Sequence, residues 1–109
     1  MRPRESRDPD HLDDIKESCS LIIARTKNIR LPDFVANLSL QDGILMRLII
    51  IGEASKNLSD AARKRYPDAS WKEIVRLRDL TVHHYRDIDA LKIWKIIRED
   101  VPRLLEILS

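Results

Sequence analysis

A chain of 109 residues with 43% apolar content can bury one modest core and is too short for several, so residues 1–109 read as a single domain. Twenty basic and eighteen acidic residues leave a formal charge of +2; the overall balance does not mark a nucleic-acid binder, and any basic footprint has to be local. Two glycines, one cysteine, and only two tryptophans, two tyrosines and one phenylalanine argue against a turn-rich sandwich, an internal disulfide and a cysteine-built zinc site.

The chain opens on Met1-Arg2-Pro3-Arg4-Glu5-Ser6-Arg7, the clearest local basic excess, and residues 1–8 read as a flexible basic arm. The arm lacks the apolar centre of a secretion signal. The longest apolar stretch, Ile44 to Ile51, is short and interrupted by Arg47, which excludes a membrane span and leaves a cytoplasmic protein as the expectation.

Asp8 followed by Pro9 reads as a helix cap and first turn. Leu12, Ile15, Cys19, Ile22, Thr26 and Ile29 then alternate by three and four, which predicts an amphipathic first helix with Cys19 as a packing residue rather than a reactive thiol. Leu31-Pro32-Asp33 breaks the pattern, and Phe34 to Leu38 is read as a short packed connection or accessory helix.

Ser39-Leu40-Gln41-Asp42 has cap spacing and opens a second helix that is apolar almost all round, through Leu45, Leu48, Ile49, Ile51 and Ala54. The helical period continues across Gly52 to Leu58, which predicts one central helix ending near Arg65. Arg47, Glu53 and Lys56 on it suggest a buried polar network or the lining of a cleft.

Tyr66-Pro67-Asp68 marks a loop, and Ser70-Trp71-Lys72-Glu73 has capping-box spacing, so a third long helix is expected from Trp71 with Val75, Arg78, Val82 and Tyr85 on its core stripe. A fourth begins after Asp87 or Asp89 and is expected to bury Leu91, Trp94, Ile97, Val101, Leu104 and Leu108, with Pro102 kinking or restarting it and Asp100 as a new cap. Four such helices on short connections most economically make an all-α antiparallel bundle.

Chemistry concentrates in Arg76-Leu77-Arg78-Asp79-Leu80-Thr81-Val82-His83-His84-Tyr85-Arg86-Asp87. Histidine exchanges a proton near neutrality, and arginine binds two phosphate oxygens through its planar fork. Together they suit metal-free cleavage of RNA, in which a 2′-hydroxyl attacks the adjacent phosphate and needs a base for its proton and a cation for the accumulating charge.

On a regular helix, residues five apart point about 140° away from each other, so Arg78 and His83 do not share a face, whereas Arg76 and His83 come closer. Either the helix loosens before His83, or Arg78 of one subunit meets His83 of another across a dimer axis. The second is preferred, because it gives the bundle a reason to pair symmetrically.

The plainer reading makes Arg78 an ordinary ion-pair partner of Asp79, Asp87 or Glu53. His84 is read as a solvent or interface residue, and a zinc site from Asp79, His83 and His84 matches no closed coordination pattern.

The run Arg78 to Tyr85 reads R-x-x-x-x-H-x-Y and resembles the signature of HEPN domains of the HepT type. Arg47 to Lys56, with its Gly-Glu-Ala segment, resembles that family's central helix, and the likeness extends from about His11 to Leu108. It implies a helical-bundle homodimer acting as a metal-independent RNase toxin on transfer or messenger RNA, with no cofactor. It further implies a partner antitoxin, a nucleotidyltransferase of the MntA type, that silences the toxin by transferring AMP to the motif tyrosine.

Carried over by position, Arg78 and His83 become the catalytic pair and Tyr85 the modified residue; Arg47, Glu53, Arg76, Asp79 and His84 are read from their own positions in the sequence as supporting residues. Asp79 departs from the asparagine often found after the motif arginine. The alternative is a non-catalytic helical module that binds a nucleotidyltransferase and helps it hold substrate.

Overall fold

The computed structural model describes residues 7–80 and 90–109, and among them all regular structure is helical. Helix α1 spans Asp8–Thr26 and buries Leu12, Ile15, Cys19 and Ile22, as its three-four spacing requires. Its N-cap is Arg7, not Asp8. Asp8, expected at the end of a flexible arm, is instead 3% exposed, and its carboxylate accepts hydrogen bonds from Ser59 N (2.9 Å) and Ser59 Oγ (2.5 Å).

The connection after α1 is a short helix, α2, Leu31–Ala36. The Arg30 amide donates to Asp33 at 3.0 Å, fixing the first turn, and Phe34 packs inward against Trp94 with ring centroids 5.3 Å apart. Helix α3, Leu38–Lys56, is capped by Asn37, which accepts from Leu40 N, and not by Ser39. Gln41 explains the earlier start: its amide donates to the carbonyls of Phe34 and Val35, tying the end of α2 to the first turn of α3.

The expected single helix to Arg65 is two. It stops at Lys56, and α4, Asp60–Arg65, restarts with Ser59 as cap to Ala62 N. The break is stabilised from both sides: Arg63 donates to the carbonyls of Ser55 and Lys56, and Asp8 binds Ser59.

The third long helix is also not formed as expected. Helix α5 covers only Trp71–Val75, with no side-chain cap bond from Ser70; a 3-10 turn follows over Arg76–Asp79, and Leu80 is already extended (φ −67°, ψ 128°). The Trp71 indole N–H donates to the carbonyls of Arg63 and Tyr66, pinning α5 to the end of α4.

Helix α6, Ala90–Lys95, runs into a π turn, Ile96–Asp100, and then α7, Val101–Leu108. Pro102 accounts for the turn, since it has no amide to donate to the Arg98 carbonyl and its ring would crowd that oxygen; the ladder slips, with Val101 N donating to Ile96 O. The helix restarts there as expected, although Asp100 makes no side-chain cap bond. Ile93, Ile97, Val101, Leu104 and Leu108 are buried, whereas Leu91, expected inside, is 58% exposed.

Helix α1 packs on α3 and α7, and α3 carries α2, α5 and the 3-10 turn. The result is an all-α bundle whose central member is α3. Burial pushes the Cys19 thiol up to about 12, consistent with its packing role. Among the described residues no helix is long and apolar enough to cross a membrane.

Candidate active site

The two segments that carry chemistry in the sequence meet where the 3-10 turn lies across α3. Gly52, buried in α3, makes the meeting possible: a Cβ there would stand 2.3 Å from Arg78 N, 2.9 Å from the Leu77 carbonyl carbon and 3.1 Å from Arg78 Cα. Backbone cannot retreat as the tip of a flexible side chain can, so only glycine admits this approach. The next residue, Glu53, reaches the guanidinium, with Oε2 3.3 Å from Arg78 Nε.

Arg78 is thus held at its backbone by Gly52 and at its head by Glu53. Its side chain keeps 33% of its surface exposed, and that of Glu53 56%, so the pair lies at the solvent edge and not in a buried network. An arginine presents two donor edges, Nε with one Nη, and the two Nη together. The Glu53 contact engages the first.

Tightening to a 3-10 turn also separates the two motif arginines, because residues two apart on such a turn point about 120° away from each other. Arg78 lies against α3, while Arg76 lines a cleft of about 630 Å³ with Glu73, Leu77, Lys92, Ile96 and Arg103 between α5 and the α6–α7 run. Asp79 closes the turn and is exposed. Arg47 is half-buried on α3, six residues before Glu53. His83, His84 and Tyr85 lie outside the described residues, as do Val82 and Asp87.

Of the expected partners of Arg78, the structure realises Glu53. The regular-helix argument that set Arg78 and His83 on different faces loses its premise, since the helical phase ends at Asp79 and Leu80 is extended. Gly52 was not singled out as a site residue. Its signal was an isolated glycine inside an otherwise apolar helix, a position that calls for a close backbone approach but does not name what approaches. Among the described residues no three His, Cys, Asp or Glu side chains are grouped as metal donors.

The arrangement can do one thing well: present a fixed, partly exposed cation at the surface of the 3-10 turn, where it can receive a phosphate oxygen.

Comparison with known proteins is consistent with this chemistry. Residues 15–109 match the family model described as ribonuclease HepT-like. A candidate RNase of Methanocaldococcus jannaschii is 40% identical over 91 residues, covering 84% of each chain. A probable ribonuclease HepT of Thermococcus cleftensis is 38% identical over 95 residues, covering 87% of this chain and 86% of the other. A candidate RNase of Caldanaerobacter subterraneus is 36% identical over 94 residues, covering 86% and 84%. No solved structure matches. The chain belongs to the HepT-like ribonuclease family.

Proposed function

We propose that this chain is the toxin of a toxin–antitoxin pair and cleaves RNA without a metal. In this reading His83 takes the proton of a 2′-hydroxyl, which attacks the adjacent phosphorus, and Arg78 stabilises the charge gathering on the phosphoryl oxygens. The P–O5′ bond breaks, the 5′-oxygen takes a proton from solvent, and the products are a 2′,3′-cyclic phosphate and a 5′-hydroxyl.

The observation that carries the reading is the state of Arg78: a third exposed, anchored at both ends on α3, with an arginine-bearing cleft on the other side of its turn.

The partner in this reading is an MntA-type nucleotidyltransferase that adds AMP to Tyr85. The added phosphate brings negative charge and bulk next to the pair that has to receive RNA phosphate, so repulsion and occlusion act together. The working form is a cytoplasmic homodimer, and the substrate is transfer or messenger RNA. Pairing is supported by α3, which leaves Leu38 65% and Met46 56% exposed on a helix that is otherwise apolar nearly all round.

The test is cleavage of total RNA in EDTA by the wild type and Arg78→Ala, with product ends analysed. Cyclic phosphate ends from the wild type, and none from Arg78→Ala, are expected. Cleavage only on addition of a divalent metal, or cleavage indifferent to Arg78, would exclude it.

A further inference from the structure

We propose that Glu53 is a positioning residue for Arg78: by engaging Nε it commits the side edge of the guanidinium and turns the end edge, the two Nη groups, toward RNA phosphate. The proposal rests on the reading of Arg78 as the phosphate-binding group.

Three observations carry it. The contact is made at Nε, with Oε2 at 3.3 Å, so the carboxylate meets the guanidinium from the side and leaves the end fork, the geometry that matches two phosphate oxygens. The pair is solvent-exposed, 33% on one side and 56% on the other, where an ion pair adds little to folding stability; its consequence is orientation.

The third is that Gly52 and Glu53 are consecutive on α3. The glycine fixes where the Arg78 backbone sits, because Arg78 N occupies the space a Cβ would need, and the glutamate fixes where its head sits. A long flexible side chain held at both ends spends less conformational freedom when it binds its anion. The same carboxylate, facing solvent, also keeps phosphate from approaching the guanidinium along the wrong edge.

The experiment is steady-state cleavage of one RNA oligonucleotide by the wild type, Glu53→Gln, Glu53→Ala and Arg78→Ala, with unfolding midpoints measured for all four. Glutamine keeps an acceptor for Nε–H and alanine does not, so kcat should rank wild type, then Gln, then Ala. The alanine variant is expected to lose roughly 10- to 100-fold in kcat with KM nearly unchanged, as for a misplaced catalytic group. Its unfolding midpoint should stay close to that of the wild type.

A second readout is the Arg78 Nε–H resonance, assigned by its loss in Arg78→Lys, which should shift in Glu53→Ala. An unshifted resonance, a kcat equal to wild type, or a fall in KM showing Glu53 to be only a repulsive charge would each overturn the proposal. If Arg78→Ala cleaves as the wild type does, or the wild type cleaves no RNA, the reading of Arg78 itself fails and the proposal falls with it. Loss of activity in Arg78→Ala with full activity in Glu53→Ala would remove the positioning role alone.

Discussion

Arg78 owes its place to a residue with no side chain. Because the Arg78 amide lies 2.3 Å from the position of a Gly52 Cβ, Gly52→Ala has to push the 3-10 turn off α3. Overpacking of this kind costs about 1–3 kcal/mol, and here the displaced atoms belong to the motif arginine. Chemical denaturation of Gly52→Ala should therefore show lost stability, with RNA cleavage falling further than the folded fraction.

Asp8 makes a different contribution. Burial alone would raise its pKa, but the Ser59 hydroxyl and amide bonds, with Arg65 and His11 nearby, hold it below the ordinary value of 3.8. A depressed carboxylate stabilises the fold above the unfolded value and loses that contribution as pH falls through the folded one. Asp8→Asn should cost about 1.5–3 kcal/mol at neutral pH, the range for hydrogen bonds to a charged group. Denaturation midpoints of variant and wild type should converge as the pH is taken below 3.8. A gap independent of pH would show that the carboxylate charge contributes nothing.

At the scale of elements, the apolar stripes and the breaks marked by Pro32, Pro67 and Pro102 were legible, and the interruptions without a proline were not. Leu12, Ile15, Cys19 and Ile22 on α1, and Ile97, Val101, Leu104 and Leu108 at the C-terminal end, follow helical spacing into the core. The stop after Lys56 has no proline or strong local turn signal; it is held by Arg63 and by Asp8, a residue 51 positions from its Ser59 partner. Periodicity does not contain a contact of that range.

Pro102 announced a disturbance, but not that it would be absorbed as a π turn upstream. In α6 it is Ile93, and not Leu91, that lies inside. Ile97→Ala should cost about 2–5 kcal/mol as a core truncation, while Leu91→Ala should stay below about 1 kcal/mol. Thermal or chemical unfolding of the two variants checks the assignment, and equal losses would contradict it.

For the whole molecule, the sequence conveyed the all-α class and the pairing of a Gly-Glu-Ala segment with the R-x-x-x-x-H-x-Y run. It offered Glu53 as one of three partners for Arg78, but not that the two segments meet through backbone at Gly52 and through a 3-10 turn where a regular helix was expected. The expected homodimer has its own test. If Arg78 of one subunit works with His83 of the other, mixing inactive Arg78→Ala and inactive His83→Ala should restore about a quarter of wild-type cleavage, since half the dimers are mixed and each has one intact site. No restoration would place both residues in one subunit.

The proposed cleavage of RNA by His83 and Arg78 together is tested by incubating total cellular RNA with purified wild type and His83→Ala in EDTA, with the fold of both verified by circular dichroism. Cleavage by the wild type and none by a folded His83→Ala is the result this account predicts. Equal cleavage by the two, or none by a wild type shown by mass spectrometry to carry no AMP on Tyr85, would contradict it.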